Sequence, residues 1–204
     1  MFDWITGFME ATGYFGIALL MLIENVFPPI PSELIMPLAG FAAARGELNL
    51  FLVILAGTAG SVAGALLWYG FGLWLGAERL KRFAADHGRW LTLSPEEIGE
   101  VQGFFSRHSR KAVLFGRLIP GIRSLISIPA GIVGMGLPKF LIYSTLGTFV
   151  WTAALAGAGY ALESQYGRIA EWLNPVANVI LGGALLWYLY RVATFRSRPA
   201  RRSD

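Results

Sequence analysis

Six stretches of the chain carry no Asp, Glu, Lys or Arg: residues 11–23, 34–44, 48–77, 124–138, 140–162 and 172–190. No other feature constrains the fold so tightly. A bilayer core of about 30 Å asks for about 20 apolar residues in helix. Runs 48–77, 140–162 and 172–190 reach that length and read as three transmembrane helices. With 55% hydrophobic and 15% charged residues in 204, too little polar surface remains to solvate a water-soluble fold around three such runs. The same composition excludes intrinsic disorder. The lack of cysteine excludes a disulfide scaffold, thiol catalysis and thiolate metal sites. Asp3 and Glu10, with no Lys or Arg near the start, speak against a cleavable signal peptide.

Two further apolar regions are interrupted. Region 11–44 contains Glu24, Glu33 and the prolines Pro28, Pro29, Pro31 and Pro37. Region 112–138 contains Arg117 and Arg123 together with Pro120, Gly121, Pro129 and Gly131. Proline removes an amide donor and breaks a helix interior. Within hydrocarbon, such a break survives only where protein or a water-filled cavity surrounds it. Limbs of about 10–14 residues make about 15–20 Å of helix, which reaches mid-bilayer and no further. Both regions therefore read as re-entrant hairpins, with breaks at the eight prolines and glycines named above. The expected fold is an all-α integral membrane protein of one domain, residues 1–204. It contains hairpin 11–44, span 48–77, an amphipathic segment 78–111, hairpin 112–138, spans 140–162 and 172–190, and a basic tail 191–204.

Charge sets the expected orientation. Lys and Arg mark cytoplasmic loops. The tail carries Arg191, Arg196, Arg198, Arg201 and Arg202, and segment 78–111 holds seven Lys or Arg beside five acids. No Lys or Arg precedes Arg45. These counts place the N-terminus and first hairpin outside, and segment 78–111 and the C-terminus in the cytoplasm. The two hairpin-plus-span units then point in opposite directions. A faint internal echo accompanies them: Pro28, Ser32 and Pro37 match Pro120, Ser124 and Pro129 at one constant offset, and Gly57-Thr58 matches Gly147-Thr148 at nearly the same one. Transporters built from inverted repeats bind substrate where the repeats meet.

One hairpin supplies two carboxylates, Glu24 and Glu33, and the other two guanidiniums, Arg117 and Arg123. If the tips meet, four charges balance in one cavity. A static salt-bridge cluster is one reading, although a buried ion pair often adds no net stability over apolar packing. The functional reading is an anion site. Guanidinium forks bind phosphate bidentately and stay charged when desolvated. Ser32 and Ser124 stand where an N-cap would open each second limb and would aim helix N-termini at the same anion. Burial and the arginines act oppositely on a carboxylate here, and either way Glu24 and Glu33 are candidate proton or gating groups.

The pattern Glu24-Asn-x-x-Pro-Pro-x-Pro-Ser-Glu33, then Gly116-Arg117-x-x-Pro120-Gly-x-Arg123-Ser, then Ala130-Gly131 and Met135, resembles the DedA membrane proteins, also called the SNARE-associated or VTT group. The resemblance covers about residues 10–165. It implies two re-entrant hairpins in a protein of the bacterial cytoplasmic membrane, with acids at Glu24 and Glu33 and arginines at Arg117 and Arg123 required. It further implies translocation of undecaprenyl phosphate from the outer to the inner leaflet, in support of the cell envelope and driven by the proton motive force. The partners it implies are a polyprenyl-phosphate or phospholipid substrate and the surrounding lipid, with homo-oligomers open.

Other features are bland. The glycines of 57–76 read as a helix-packing stripe, with a helix break allowed at Gly70-Phe71-Gly72. Trp68, Trp74, Trp151, Trp172 and Trp187 suit an interfacial belt. His87 and His108 lie in the polar segment without metal-ligand spacing, so no metal and no other cofactor is expected. An enzyme such as a lipid phosphatase would need a nucleophile or metal that this pattern lacks. A proton-coupled transporter of a small anion, or a translocase of another phospholipid, would use the same arginines. Nucleic-acid binding is not expected.

Overall fold

In a computed structural model of the chain, residues 2–27, 32–91 and 95–162 are described. They form six helices and, among these residues, no strand: α1 Phe2–Val26, α2 Ser32–Ala44, α3 Leu50–Leu91, α4 Pro95–Gly116, α5 Ser127–Ile132 and α6 Leu137–Ala161. Among the described residues, two segments are long and apolar enough to cross a membrane, Leu50–Arg82 and Leu137–Ala161. They coincide with the runs 48–77 and 140–162. The third expected span, 172–190, and the basic tail lie outside the described residues, as do Pro28, Pro29 and Pro31.

Local chemistry sets the ends. The Asn49 Oδ1 accepts hydrogen bonds from the amides of Phe51 (3.0 Å) and Leu52 (3.2 Å), capping α3. The Tyr14 hydroxyl accepts from the Asn49 amide at 2.9 Å and ties that cap to α1. Pro95 opens α4, and Pro138 lies in the first turn of α6, where no amide donor is needed. α1 is kinked at Gly13 (φ 59°) and α4 at His108 (φ −124°). After the Gly13 kink, the remaining limb of α1 and the 13 residues of α2 are each about 20 Å long, short of a 30 Å hydrocarbon core.

Several boundaries differ from those expected. Pro37 does not break α2; it sits inside it. Helix α6 passes so close there that a side chain at Gly159 would overlap the Pro37 carbonyl, and this packing holds the turn that proline weakens. The second interruption is confined to residues 117–126, a run of turns containing Gly121 at φ 79°. Pro129 and Gly131 fall inside α5 and are not breaks. Pro129 occupies the first turn, where its missing donor costs nothing. The return limb is only six residues, not a helix of ten or more. Its approach limb is the end of α4, which runs past 111 to Gly116, so the polar segment and second hairpin share one helix. Helix α3 passes through Gly70-Phe71-Gly72 without interruption; its backbone departs from helical φ at Gly76 instead (65°), and the element ends at Leu91. Gly72 is where α5 crosses, since a side chain there would overlap the Ile128 carbonyl.

The packing is reciprocal. Helix α2 crosses α6, while α5 crosses α3, so the return limb of each interrupted region lies on the long helix of the other. Two apolar clusters result. One gathers Ile17, Leu20, Met21, Ile35, Met36 and Val53; the other gathers Ala65, Tyr69, Val113, Ala130, Met135 and Phe140. In the second, Tyr69 stacks on Phe140 at 4.3 Å and donates its hydroxyl to the Met135 carbonyl. Large apolar side chains cover much of the outer surface, including Phe15, Phe51, Leu67, Trp74, Ile142 and Val150. That is the surface of a protein solvated by lipid.

Candidate functional site

The charged groups predicted from the sequence converge. Glu24, near the end of α1, and Arg123, in the 117–126 turn, form an ion pair, with side chains 6% and 5% exposed. Arg117, 1% exposed, lies within electrostatic reach of both. Glu33, half-buried at the start of α2, lies within electrostatic reach of Glu24. The two interrupted regions therefore meet at their charged groups, but in one ion pair among the described residues and not two. Neither Glu33 nor Arg117 pairs with an oppositely charged side chain among the described residues.

Arg117 is the anomaly. Its Nη2 donates to the Ser127 Oγ at 2.7 Å, and its Nε and Nη1 have no partner among the described residues. A buried cation without a counter-ion is costly unless something negative joins it. The second oxygen of Glu24, Oε2, is also without a partner among the described residues.

The expected caps are not found. The Ser32 hydroxyl is buried at the first residue of α2 and bonds to nothing described. Ser124 is buried beside Arg123, but α5 begins three residues later, with Ile126 at its N-cap position and no side-chain cap. The turns from 117 to 126 use the backbone instead: the amides of Arg123 and Ile126 donate to Ile119 and Ile122 carbonyls at 3.1 and 2.8 Å.

Two features around the site escaped the sequence reading. The first is Asn25, wholly buried next to Glu24. It occupies in the first half the place that Arg117 holds in the second. A Cβ at Gly64 of α3 would lie 2.7 Å from the Asn25 Cβ and 3.0 Å from the Leu22 carbonyl oxygen; one at Gly147 of α6 would lie 2.7 Å from both the Arg117 Cβ and the Leu114 carbonyl oxygen. The constant offset relating Pro28 to Pro120 also relates Asn25 to Arg117 and Leu22 to Leu114. The second is a motif shared by the long helices, Ser61-x-x-Gly64-x-x-x-Trp68 and Ser144-x-x-Gly147-x-x-x-Trp151. The counterpart of Gly147 in space is Gly64, not Gly57, about two helical turns away. The connector between hairpin and span differs in length between the halves, so one offset cannot register both parts.

The halves use this motif differently. In the first, Asn25 Nδ2 donates to the Ser61 Oγ at 3.0 Å, and Trp68 Nε1 donates to the Asn25 carbonyl at 3.0 Å. In the second, the Ser144 Oγ and Trp151 Nε1 are buried without partners among the described residues, as is the Thr148 Oγ1 between them. Elsewhere a groove of ≈ 520 Å³ between α3 and α6 is lined by Leu55, Val62, Leu146 and Phe149 with two threonines. It presents no charge, so it is not the place for an anion.

The VTT domain matches residues 30–161, which takes in the second limb of the first interrupted region, all of the second and both long helices. This chain belongs to the VTT-domain, or DedA, family of membrane proteins. A Lactococcus lactis relative called "Alkaline phosphatase-like protein" is 44% identical over 85% of this chain and 81% of its own length. The Staphylococcus aureus "Undecaprenyl phosphate transporter A" is 31% identical over 91% of this chain and 92% of its own length. The Bacillus subtilis protein of that same name is 29% identical over 87% and 84%. No solved structure matches the chain.

Proposed function

We propose that this VTT-domain protein is a carrier-lipid translocase that returns undecaprenyl phosphate from the outer to the inner leaflet of the bacterial cytoplasmic membrane, coupled to protons. The observation that carries the reading is the buried centre itself: a Glu24–Arg123 pair between the two interrupted regions, beside Arg117, which has no carboxylate partner among the described residues. The relatives named undecaprenyl phosphate transporter A support the substrate.

In this reading the regions 11–44 and 112–138 re-enter the bilayer from opposite leaflets as an inverted repeat, with the C-terminus in the cytoplasm. The phosphate head passes between their tips while the isoprenoid tail stays in lipid. Arg117 and Arg123 neutralise the head, and the buried hydroxyls of Ser32 and Ser124 offer it hydrogen bonds. When phosphate takes over Arg123, Glu24 loses its counter-ion and takes up a proton, with Glu33 as the second exchanging acid. Binding of the substrate and uptake of a proton are thereby tied to the same guanidinium.

The test is transfer of undecaprenyl phosphate between leaflets in proteoliposomes with and without a pH gradient. The parent protein should transfer the lipid, and Arg123→Ala, shown to be folded, should not. Full transfer by folded Arg123→Ala would remove the clamp from the mechanism. Proton flux driven by a soluble oxyanion without any lipid would instead identify a small-anion transporter, and equal transfer of other phospholipids a broader translocase.

A further inference from the structure

The repeated Ser-x-x-Gly-x-x-x-Trp motif is satisfied in one half of the protein and open in the other. On α3, Ser61 and Trp68 hold Asn25. On α6, Ser144 and Trp151 hold the same positions relative to Gly147, against which Arg117 is seated, and the Arg117 side chain ends on Ser127. At about 100° per residue, Ser144, Thr148 and Trp151 all lie within about 100° on one side of Gly147, against which Arg117 is seated. Ser144 is 0% and Thr148 2% exposed. Five polar atoms in this patch have no partner among the described residues: Ser144 Oγ, Thr148 Oγ1, Trp151 Nε1, and Arg117 Nε and Nη1.

The chemistry of these atoms selects the missing partner. Indole and guanidinium nitrogens only donate, and both hydroxyls can. A ligand filling the patch must therefore be rich in acceptors, and the uncompensated guanidinium asks that it be negative. The carboxylates nearby do not reach these donors: Glu24 gives one oxygen to Arg123, and neither its other oxygen nor Glu33 bonds to Arg117 among the described residues. We propose that Ser144, Thr148 and Trp151 of α6 form, with the unpartnered Nε and Nη1 donors of Arg117, the recognition site for a phosphate monoester. This rests on the reading of the chain as a carrier of a phosphate-bearing lipid and locates the headgroup. The second half of the repeat is the binding half, and the first, with Asn25 in place of the arginine, is a closed structural counterpart. Arg123 then acts as the link between this site and Glu24.

Burying a donor without a partner destabilises a fold, so removing it should stabilise or leave stability unchanged. A binding role and a packing role consequently predict opposite things. The test uses the purified full chain, titrated with undecaprenyl phosphate and with undecaprenol, which shares the tail and lacks the phosphate; inorganic phosphate serves as competitor. Trp151→Phe and the double variant Ser144→Ala/Thr148→Val should each bind undecaprenyl phosphate about tenfold to a hundredfold more weakly, the range for hydrogen bonds to a charged group. Undecaprenol affinity should not change, and melting should be equal to or above the parent's. Ser61→Ala is the control: it strands the Asn25 amide and should lower the melting temperature while leaving the preference for phosphate intact. Variants that keep parent affinity, or a Ser61→Ala that weakens phosphate binding as much as the α6 changes, overturn the assignment. Displacement of undecaprenyl phosphate by millimolar inorganic phosphate, lost in Trp151→Phe, identifies free phosphate as an occupant; no displacement identifies the lipid-linked group. A parent that binds undecaprenol as tightly as undecaprenyl phosphate sinks the carrier-lipid reading. A parent that discriminates while the variants match it sinks only the recognition site.

Discussion

Removing one member of the Glu24–Arg123 pair should cost far more than half of removing both. The side chains are 6% and 5% exposed, so neither charge can turn to water when the other is lost. Breaking such a pair costs about 3–5 kcal/mol, because an uncompensated charge stays behind. The two single variants should not be equal. Glu24→Gln strands a guanidinium that cannot shed its proton, whereas Arg123→Gln strands a carboxylate that can be neutralised by taking one up. Glu24→Gln therefore belongs at about 5 kcal/mol and Arg123→Gln at about 3 kcal/mol. The double variant leaves two neutral amides with incomplete hydrogen bonding, about 2–4 kcal/mol in all. Singles summing to about 8 kcal/mol against a double of about 3 kcal/mol imply a coupling of about 5 kcal/mol, within the range measured for close, desolvated charge pairs. The assay is reversible unfolding of the full chain in lipid micelles for parent, singles and double. The exposed pair Arg45–Glu47 at 3.1 Å, with side chains 55% and 45% exposed, supplies the reference and should couple by less than about 1 kcal/mol. If the buried pair's variants add to within about 0.5 kcal/mol, the pair is not formed or not dry, and the reasoning fails.

Further outcomes follow from the same contacts. Gly131→Ala would overlap the Tyr69 carbonyl and push α5 off α3, lowering stability by about 1–3 kcal/mol in denaturant unfolding. Gly147→Ala and Gly64→Ala should cost similar amounts by unseating Arg117 and Asn25; in the transport assay, only the former should also reduce headgroup transfer. Tyr69→Phe leaves the buried Met135 carbonyl without its donor and should cost about 1–3 kcal/mol in the same unfolding measurement. Arg117→Lys keeps a charge but loses the planar fork, so proteoliposome transfer should fall well below the parent rate rather than be preserved.

The site was legible to the extent that it is made of charges in apolar surroundings. Glu24, Arg117 and Arg123 announce themselves because charge is expensive within hydrocarbon, and the break at Pro120-Gly121 because a proline next to a flexible residue cannot continue a helix. Asn25, Ser144, Thr148 and Trp151 carry no such mark. A buried serine or threonine in an apolar run reads as ordinary helix, and Trp151 reads as an interfacial anchor. The register between the halves was half visible: the offset taken from Pro28 and Pro120 reaches Asn25 and Arg117 but misses the motif on the long helices, because the connectors differ in length.

The linear sequence alone determined that α3 and α6 exist and that two interrupted segments accompany them. A bilayer tests each segment for length and apolarity one at a time, and that test needs no knowledge of neighbours. Only the tertiary structure decided that Pro37 stays inside a helix, that α5 is six residues long, that Glu24 takes Arg123 while Arg117 takes Ser127, and that Ser61 is bonded where Ser144 has no partner among the described residues. Those outcomes depend on how closely one backbone passes another at a few glycines, a distance set by all the helices together and written in no single one of them.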